Sequence, residues 1–182
     1  AHMIDHPGDS LDKMRAAVHG KRDSAADVGS MIHSWAEAFG NGTLVDALSV
    51  PEDKRGYANA VIEFGRKFPH KFVFTEACVF SKTHEYAGTL DGIIEYQGEN
   101  WLIDYKSGKN VYTEAHVQLA AYAGAEYIYK DRDIFKLPKI DKTAVVHLKS
   151  DGTFSLIQTH ALFDDFLKIK DAYTVWKRLN GE

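Results

Sequence analysis

Cysteine is almost missing: Cys78 is the only one among the 182 residues. An internal disulfide is therefore impossible, and so is a cysteine-ligated iron–sulfur cluster, which needs several thiolates. The lone thiol points to a reducing compartment. Proline is scarce as well, at 4 residues, and no low-complexity tract or internal repeat interrupts the chain. No apolar run is long enough to cross a bilayer, and no secretory signal is visible. Nor is there an excess of positive charge. With 22 Lys and Arg against 26 Asp and Glu the net charge is −4, whereas surfaces that grip phosphates are normally basic. What basic character exists is local. Lys130, Arg132, Lys136, Lys139 and Lys142 crowd one loop-like stretch, with smaller pairs at Lys21-Arg22, Lys54-Arg55 and Arg66-Lys67.

What is present is an ordinary globular composition, 45% hydrophobic and 26% charged, long enough to bury a proper core as one domain. The most informative stretch runs from Glu85 to Tyr122. Thr89 to Tyr96 and Trp101 to Tyr105 are rich in β-branched and aromatic residues, and Gln97-Gly98-Glu99-Asn100 between them carries turn chemistry, which predicts a hairpin. Asp91 lies on its first strand. The second ends in Asp104-Tyr105-Lys106, where alternation puts Asp104 and Lys106 on one face. Two carboxylates and an amine at one sheet end suit a hard divalent cation, Mg²⁺ or Mn²⁺. Such an ion polarises a phosphoryl oxygen, and a lysine beside it steadies developing charge.

An acidic-x-Lys triplet is common, and Glu52-Asp53-Lys54 also has it, in what reads as a solvated helix start. Asp104 differs because Trp101, Leu102 and Ile103 make its approach apolar, and a charge set there needs a partner or a metal. Downstream, Gln118 and Tyr122 share one face of a predicted helix by their i, i+4 spacing. The loop Ser107 to Tyr112 contains Gly108, which permits close backbone approach to a phosphate. Ser107, Lys109 and Tyr112 are candidates for holding nucleic acid there, with a plain strand-to-helix turn as the alternative.

Gly88-Thr89-x-Asp91, Asp104-Tyr105-Lys106 and Gln118-x-x-x-Tyr122, preceded by Gly29-Ser30-x-x-His33, resemble the motifs of the PD-(D/E)XK nuclease superfamily, in its RecB-like exonuclease branch. That branch includes phage exonucleases, CRISPR adaptation nucleases, nuclease domains of recombination helicases and a mitochondrial genome-maintenance exonuclease. The resemblance spans about Val28 to Tyr122. It implies an α/β fold, a central mixed sheet flanked by helices, with a restriction-endonuclease-like core and an N-terminal helical segment. It implies that His33, Asp91, Asp104 and the Tyr105 backbone carbonyl ligate Mg²⁺ or Mn²⁺, the imidazole leaning towards Mn²⁺. Lys106 becomes the catalytic lysine, Gln118 its positioner or that of the phosphate, and Tyr122 a contact to the strand. Glu76, on a strand-like run from Phe72 to Phe80, reads as an acidic residue for a second metal or as a plain strand carboxylate. The implied activity is hydrolysis of DNA from single strands or duplex ends, in recombination, repair or phage replication. The expected setting is the cytoplasm of a bacterium or a phage-infected cell, with mitochondrion and nucleus open. A catalytically silent nucleic-acid-binding module of the same fold is the alternative.

The remaining expectations follow chain order. Ala1-His2-Met3 has the look of a cloning scar. A helical part spans about 10–68, and a catalytic core about 71–182. Leu11 to His19 reads as a short helix and Lys21 to Ala26 as a loop. Ser24 or Asp27 caps a helix reaching Phe39, with Val28, Met31, Ile32, Trp35 and Phe39 apolar. Gly40-Asn41-Gly42 ends that helix. Pro51 opens the next, which runs to about Lys67. After the strands comes a helix over Glu114 to Tyr129. A second hairpin turns around Ser150-Asp151-Gly152. A last helix runs from Leu162 to Leu179, with Phe163, Phe166, Ile169, Tyr173 and Trp176 facing inward.

Overall fold

The structure, a computed structural model, describes residues 28–39, 42–43, 46 and 49–181. The short helix expected at Leu11 to His19, the loop at Lys21 to Ala26 and the proposed caps at Ser24 and Asp27 lie outside those residues. The first described element, α1, covers residues 28–39. Ile32 and Ala36 are buried on it, and Val28, Trp35 and Phe39 pack against the same cluster, as the apolar spacing predicts. After Pro51 a 3-10 turn, Glu52–Lys54, leads into α2, Arg55–Lys67.

Seven strands follow: β1 (Lys71–Ser81), β2 (Tyr86–Tyr96), β3 (Glu99–Lys106), β4 (Tyr127–Lys130), β5 (Asp133–Lys136), β6 (Lys142–Leu148) and β7 (Phe154–Gln158). They form one mixed sheet in the order β5-β4-β1-β2-β3-β6-β7. Only β3 and β6 run parallel. Helix α3 (Thr113–Ala123) lies between β3 and β4 in the chain, and α4 (Phe163–Leu179) closes it. The α/β class and the helix-flanked mixed sheet are as expected. No helix among the described residues is long and apolar enough to cross a membrane.

The sheet separates two cores. On one face α1 and α2 meet Ile94, Trp101, Ile103, Tyr105 and Val146. On the other, Ala115 and Leu119 of α3 meet Val79, Leu90, Ile93, Leu102 and Val145. Ile103 and Tyr105 belong to the first face and Leu102 to the second, so the alternation of β3 assigns Asp104 and Lys106 to the α3 face. The β2–β3 hairpin is tighter than expected. Its turn is Gln97-Gly98 alone, with φ of 54° and 81°, the left-handed pair of a two-residue hairpin.

Three expectations need correction. The helix predicted to reach Tyr129 stops at Ala123, where Gly124 caps it. Tyr127, Ile128 and Tyr129 instead pair with Phe80, Val79 and Cys78 of β1, since aromatic and β-branched residues at a sheet edge gain more by pairing than by prolonging a helix. The basic stretch from Lys130 to Lys142 is not a loop throughout. Asp131 and Arg132, at φ of 52° and 75°, make the turn of a β4–β5 hairpin. Finally, α4 buries no residue. Phe163 and Phe166 pack against Tyr86, but Ile169, Tyr173 and Trp176 are exposed.

Candidate metal centre

The strand period breaks at one level in both β1 and β2. Phe74 and Ala77, three apart, face the α3 core, and so do Leu90 and Ile93. Strict alternation forbids that unless a residue is out of step. The residues at the break are Glu76 and Asp91. Backbone pairing holds at Thr75↔Gly92 and Ala77↔Leu90 on either side of them. Glu76 has a φ of 43°, left-handed and costly for a residue with a β-carbon. On the far side of β2, pairing with β3 ends at Gly92↔Ile103. Asp91 therefore sits where β2 departs from both neighbours, and its Oδ2 accepts the Tyr105 backbone N–H at 2.7 Å. Backbone N–H and C=O of one residue leave the same strand edge, so the Tyr105 carbonyl is directed towards β2 as well.

His33 arrives from α1. Its Nδ1 is 2.9 Å from Glu76 Oε1, and its Nε2 is 3.4 Å from Asp91 Oδ2. The three side chains offer ligand atoms that all lie within 4.8 Å of one another. The tight group is thus His33, Glu76 and Asp91, not the expected His33, Asp91 and Asp104. Asp104 stands next to it, turned to Lys106. Its Oδ1 accepts a hydrogen bond from Lys106 Nζ at 2.9 Å. Its Oδ2 is buried and forms an ion pair with the same nitrogen at 2.7 Å without accepting a hydrogen bond.

The charges are poorly compensated. Burial pushes the Asp104 carboxyl up to about 6, and the charge of Asp91 adds to the rise, against the pull of Lys106. Asp91 is raised too, first by burial, opposed by His33, the Tyr105 N–H and Lys106. Carboxylates buried beside one another are stabilised by positive charge. The donor set of imidazole, carboxylates and a backbone carbonyl suits Mn²⁺ or Mg²⁺, and the buried Asp104 oxygen, which accepts no hydrogen bond, has ligand capacity to spare. By this chemistry the residues fit such an ion.

The other predicted residues lie on the α3 side. Gln118 and Lys106 line one cleft, but the Gln118 Nε2 donates to the Tyr122 hydroxyl at 2.9 Å, so the two helix residues bind each other. The Tyr122 ring lies over Gly88, where an added β-carbon would come within 2.4 Å of it. The glycine of the Gly-Thr-x-Asp motif thus makes room for the tyrosine of the other motif. Ser107 is half-buried, while Lys109 and Tyr112 are exposed on the loop. His147 anchors that loop, its Nε2–H donating to the Gly108 carbonyl at 2.7 Å. The sequence reading passed over His147; its place inside an apolar strand, Val145-Val146-His147-Leu148, was the available signal. The basic stretch is partly neutralised: Lys139 pairs with Asp141, and Lys142 with Glu99.

No family model matches the chain, and a search of curated proteins returns no relative.

Proposed function

We propose that the chain is a metal-dependent deoxyribonuclease, an exonuclease that hydrolyses single-stranded DNA or duplex ends. One observation carries the reading. An imidazole and two carboxylates from three elements converge where the sheet opens, with a buried, undercompensated Asp104 and a lysine alongside. Among uses of such a grouping, holding a divalent ion for phosphoryl transfer accounts for both the acids and the amine.

His33 Nε2 and Asp91 would hold the ion, with Asp104 and the Tyr105 carbonyl as further ligands. The two imidazole nitrogens face different carboxylates. Nδ1–H donating to Glu76 leaves Nε2 as the ligand, so Glu76 orients the ring from behind. A bound divalent ion supplies Lewis acidity and lowers the pKa of water. Lys106 offers its ammonium to the charge that develops on the phosphoryl oxygens. The Tyr105 N–H keeps Asp91 aimed, and the Gln118–Tyr122 pair presents one amide and one phenol to the strand. In the reaction a water oxygen bonds to phosphorus, the P–O bond to the departing strand breaks, and the water's proton ends on that leaving oxygen or in solvent.

The test is cleavage of labelled single- and double-stranded oligonucleotides with Mn²⁺ or Mg²⁺, quenched by EDTA. Wild type should cut, and Asp104→Ala and Lys106→Ala should not. Full activity in either purified variant would overturn the assignment. The Lys106–Asp104 contact, which occupies the lysine, favours one second reading, a silent binding module. Strand binding without cleavage in either metal would establish it.

A further inference from the structure

Where β3 hands over to α3 there is an open cleft of about 470 Å³, a size ordinary for a small-molecule site. Val111 and Ala115 give it an apolar floor, Asn110 and Gln118 bring amides, and Tyr112 and Glu114 form part of its wall. Tyr112 is 64% exposed. Its backbone is nonetheless fixed on both sides. Before it, His147 holds the loop at Gly108 and Val111 packs against the α3-side core; after it, the Ala115 N–H donates to the Tyr112 carbonyl at 3.1 Å in the first turn of α3. An exposed ring on an anchored backbone is a ready platform for stacking.

The charge of the cleft selects its occupant. Its one cation, Lys106, is already in contact with Asp104, and Glu114 adds a carboxylate. Beyond Lys106, at the end away from the acidic site, a phosphate would meet the Glu114 carboxylate and no cation among the lining residues. A neutral, flat, hydrogen-bonding group needs none: its face can lie on Tyr112 and its edge can meet the amides. We propose that this cleft holds one unpaired nucleobase of the DNA strand whose phosphate lies at Lys106. This rests on the nuclease reading and sharpens it. Lys106 belongs both to the acidic site and to the cleft wall, so the captured base lies next to the scissile phosphate. A base held in a cleft cannot remain paired, and the substrate must therefore be a single strand or a frayed end.

The experiment uses single-stranded DNA oligonucleotides, each with one abasic position, scanned inwards from both ends. Binding is followed by fluorescence anisotropy in EDTA, so that no strand is cut. One position should emerge at which removing the base weakens wild-type binding about tenfold, in line with the stacking energy of a single base. Tyr112→Ala should lose a similar factor on the intact strand and be indifferent to the abasic position, while Tyr112→Phe should behave as wild type. A merely structural tyrosine would weaken intact and abasic strands alike. If the two losses multiply at every position, or if the intact strand fails to bind, the proposal falls. Cleavage is scored separately. Cutting without any Tyr112-dependent base effect removes the cleft and leaves the nuclease. A base effect without cutting in either metal removes the nuclease and leaves the cleft.

Discussion

Asp91 and Asp104 are neighbours across the β2–β3 hairpin, yet they occupy opposite kinds of surroundings. Asp91 opens towards α1. Its companions, His33 and Glu76, have side chains 30% and 40% exposed, and the His33 Nε2–Asp91 contact can be exchanged for a cation. Asp104 faces α3 with its side chain only 5% exposed and an ammonium against it. One region is built to exchange partners, and the other to hold a buried carboxylate in an ion pair. The difference comes from backbone rather than residue type. A break in strand alternation turns the first carboxylate, 12% exposed, towards α1, and the unbroken alternation of β3 turns the second towards α3.

Breaking each side in turn should show different losses. Asp91→Asn should abolish Mn²⁺ binding in calorimetry together with cleavage. Lys106→Met should cut cleavage by about 10²–10³-fold and leave Mn²⁺ binding in place. Equal Mn²⁺ affinity in Asp91→Asn and wild type would show that the open group is not the metal centre. Next in size is Glu76→Gln. An acceptor behind the imidazole should be worth about 10–100-fold in Mn²⁺ affinity, and an unchanged affinity would detach β1 from the centre.

The third effect concerns stability without metal. The Asp104 carboxyl titrates near 6 in the fold, above its ordinary value of 3.8. The folded state therefore binds more protons than the unfolded one between those values, and stability falls as pH rises through them. Above pH 6 the ionised group costs on the order of 2–3 kcal/mol. Asp104→Asn should accordingly raise the Tm of the EDTA-treated protein by several degrees at neutral pH, with the gain fading towards pH 4. A lower Tm at neutral pH would mean that the Lys106 contact outweighs desolvation. Smallest is Gly88→Ala. The new methyl group meets the Tyr122 ring, and crowding of that kind should cost about 1–2 kcal/mol, read as a modest drop in Tm.

The fold was legible wherever local chemistry and tertiary setting agree. β-branched runs, the Gln97-Gly98 turn and the apolar stripe of α1 pointed to the elements now seen, and the motif residues His33, Asp91, Asp104 and Lys106 do lie around one opening of the sheet. What escaped needs information carried by other parts of the chain. Glu76 reaches His33 because the strand steps out of phase, a step written faintly as Phe74/Ala77 and Leu90/Ile93, apolar pairs three apart rather than two. The α3 helix yields at Gly124 because β1 offers an edge to Tyr127–Tyr129. The Asp131-Arg132 turn lacks the glycine that usually advertises it. The stripe on α4 looks like a buried face, but no described residue covers Ile169, Tyr173 and Trp176 enough to bury them.

The parallel contact between β3 and β6 has a consequence for assembly. The β2–β3 hairpin closes over a short loop, whereas β6 joins only after α3, β4 and β5 have been traversed, and early closures are entropically cheaper. During refolding the two acids should therefore gather before the imidazole docks and before the neighbouring strand seals them, so that the last piece to mature is the chemistry. Pulse-labelling amide exchange would read that sequence directly, with protection in the hairpin expected ahead of protection in α1 and β6.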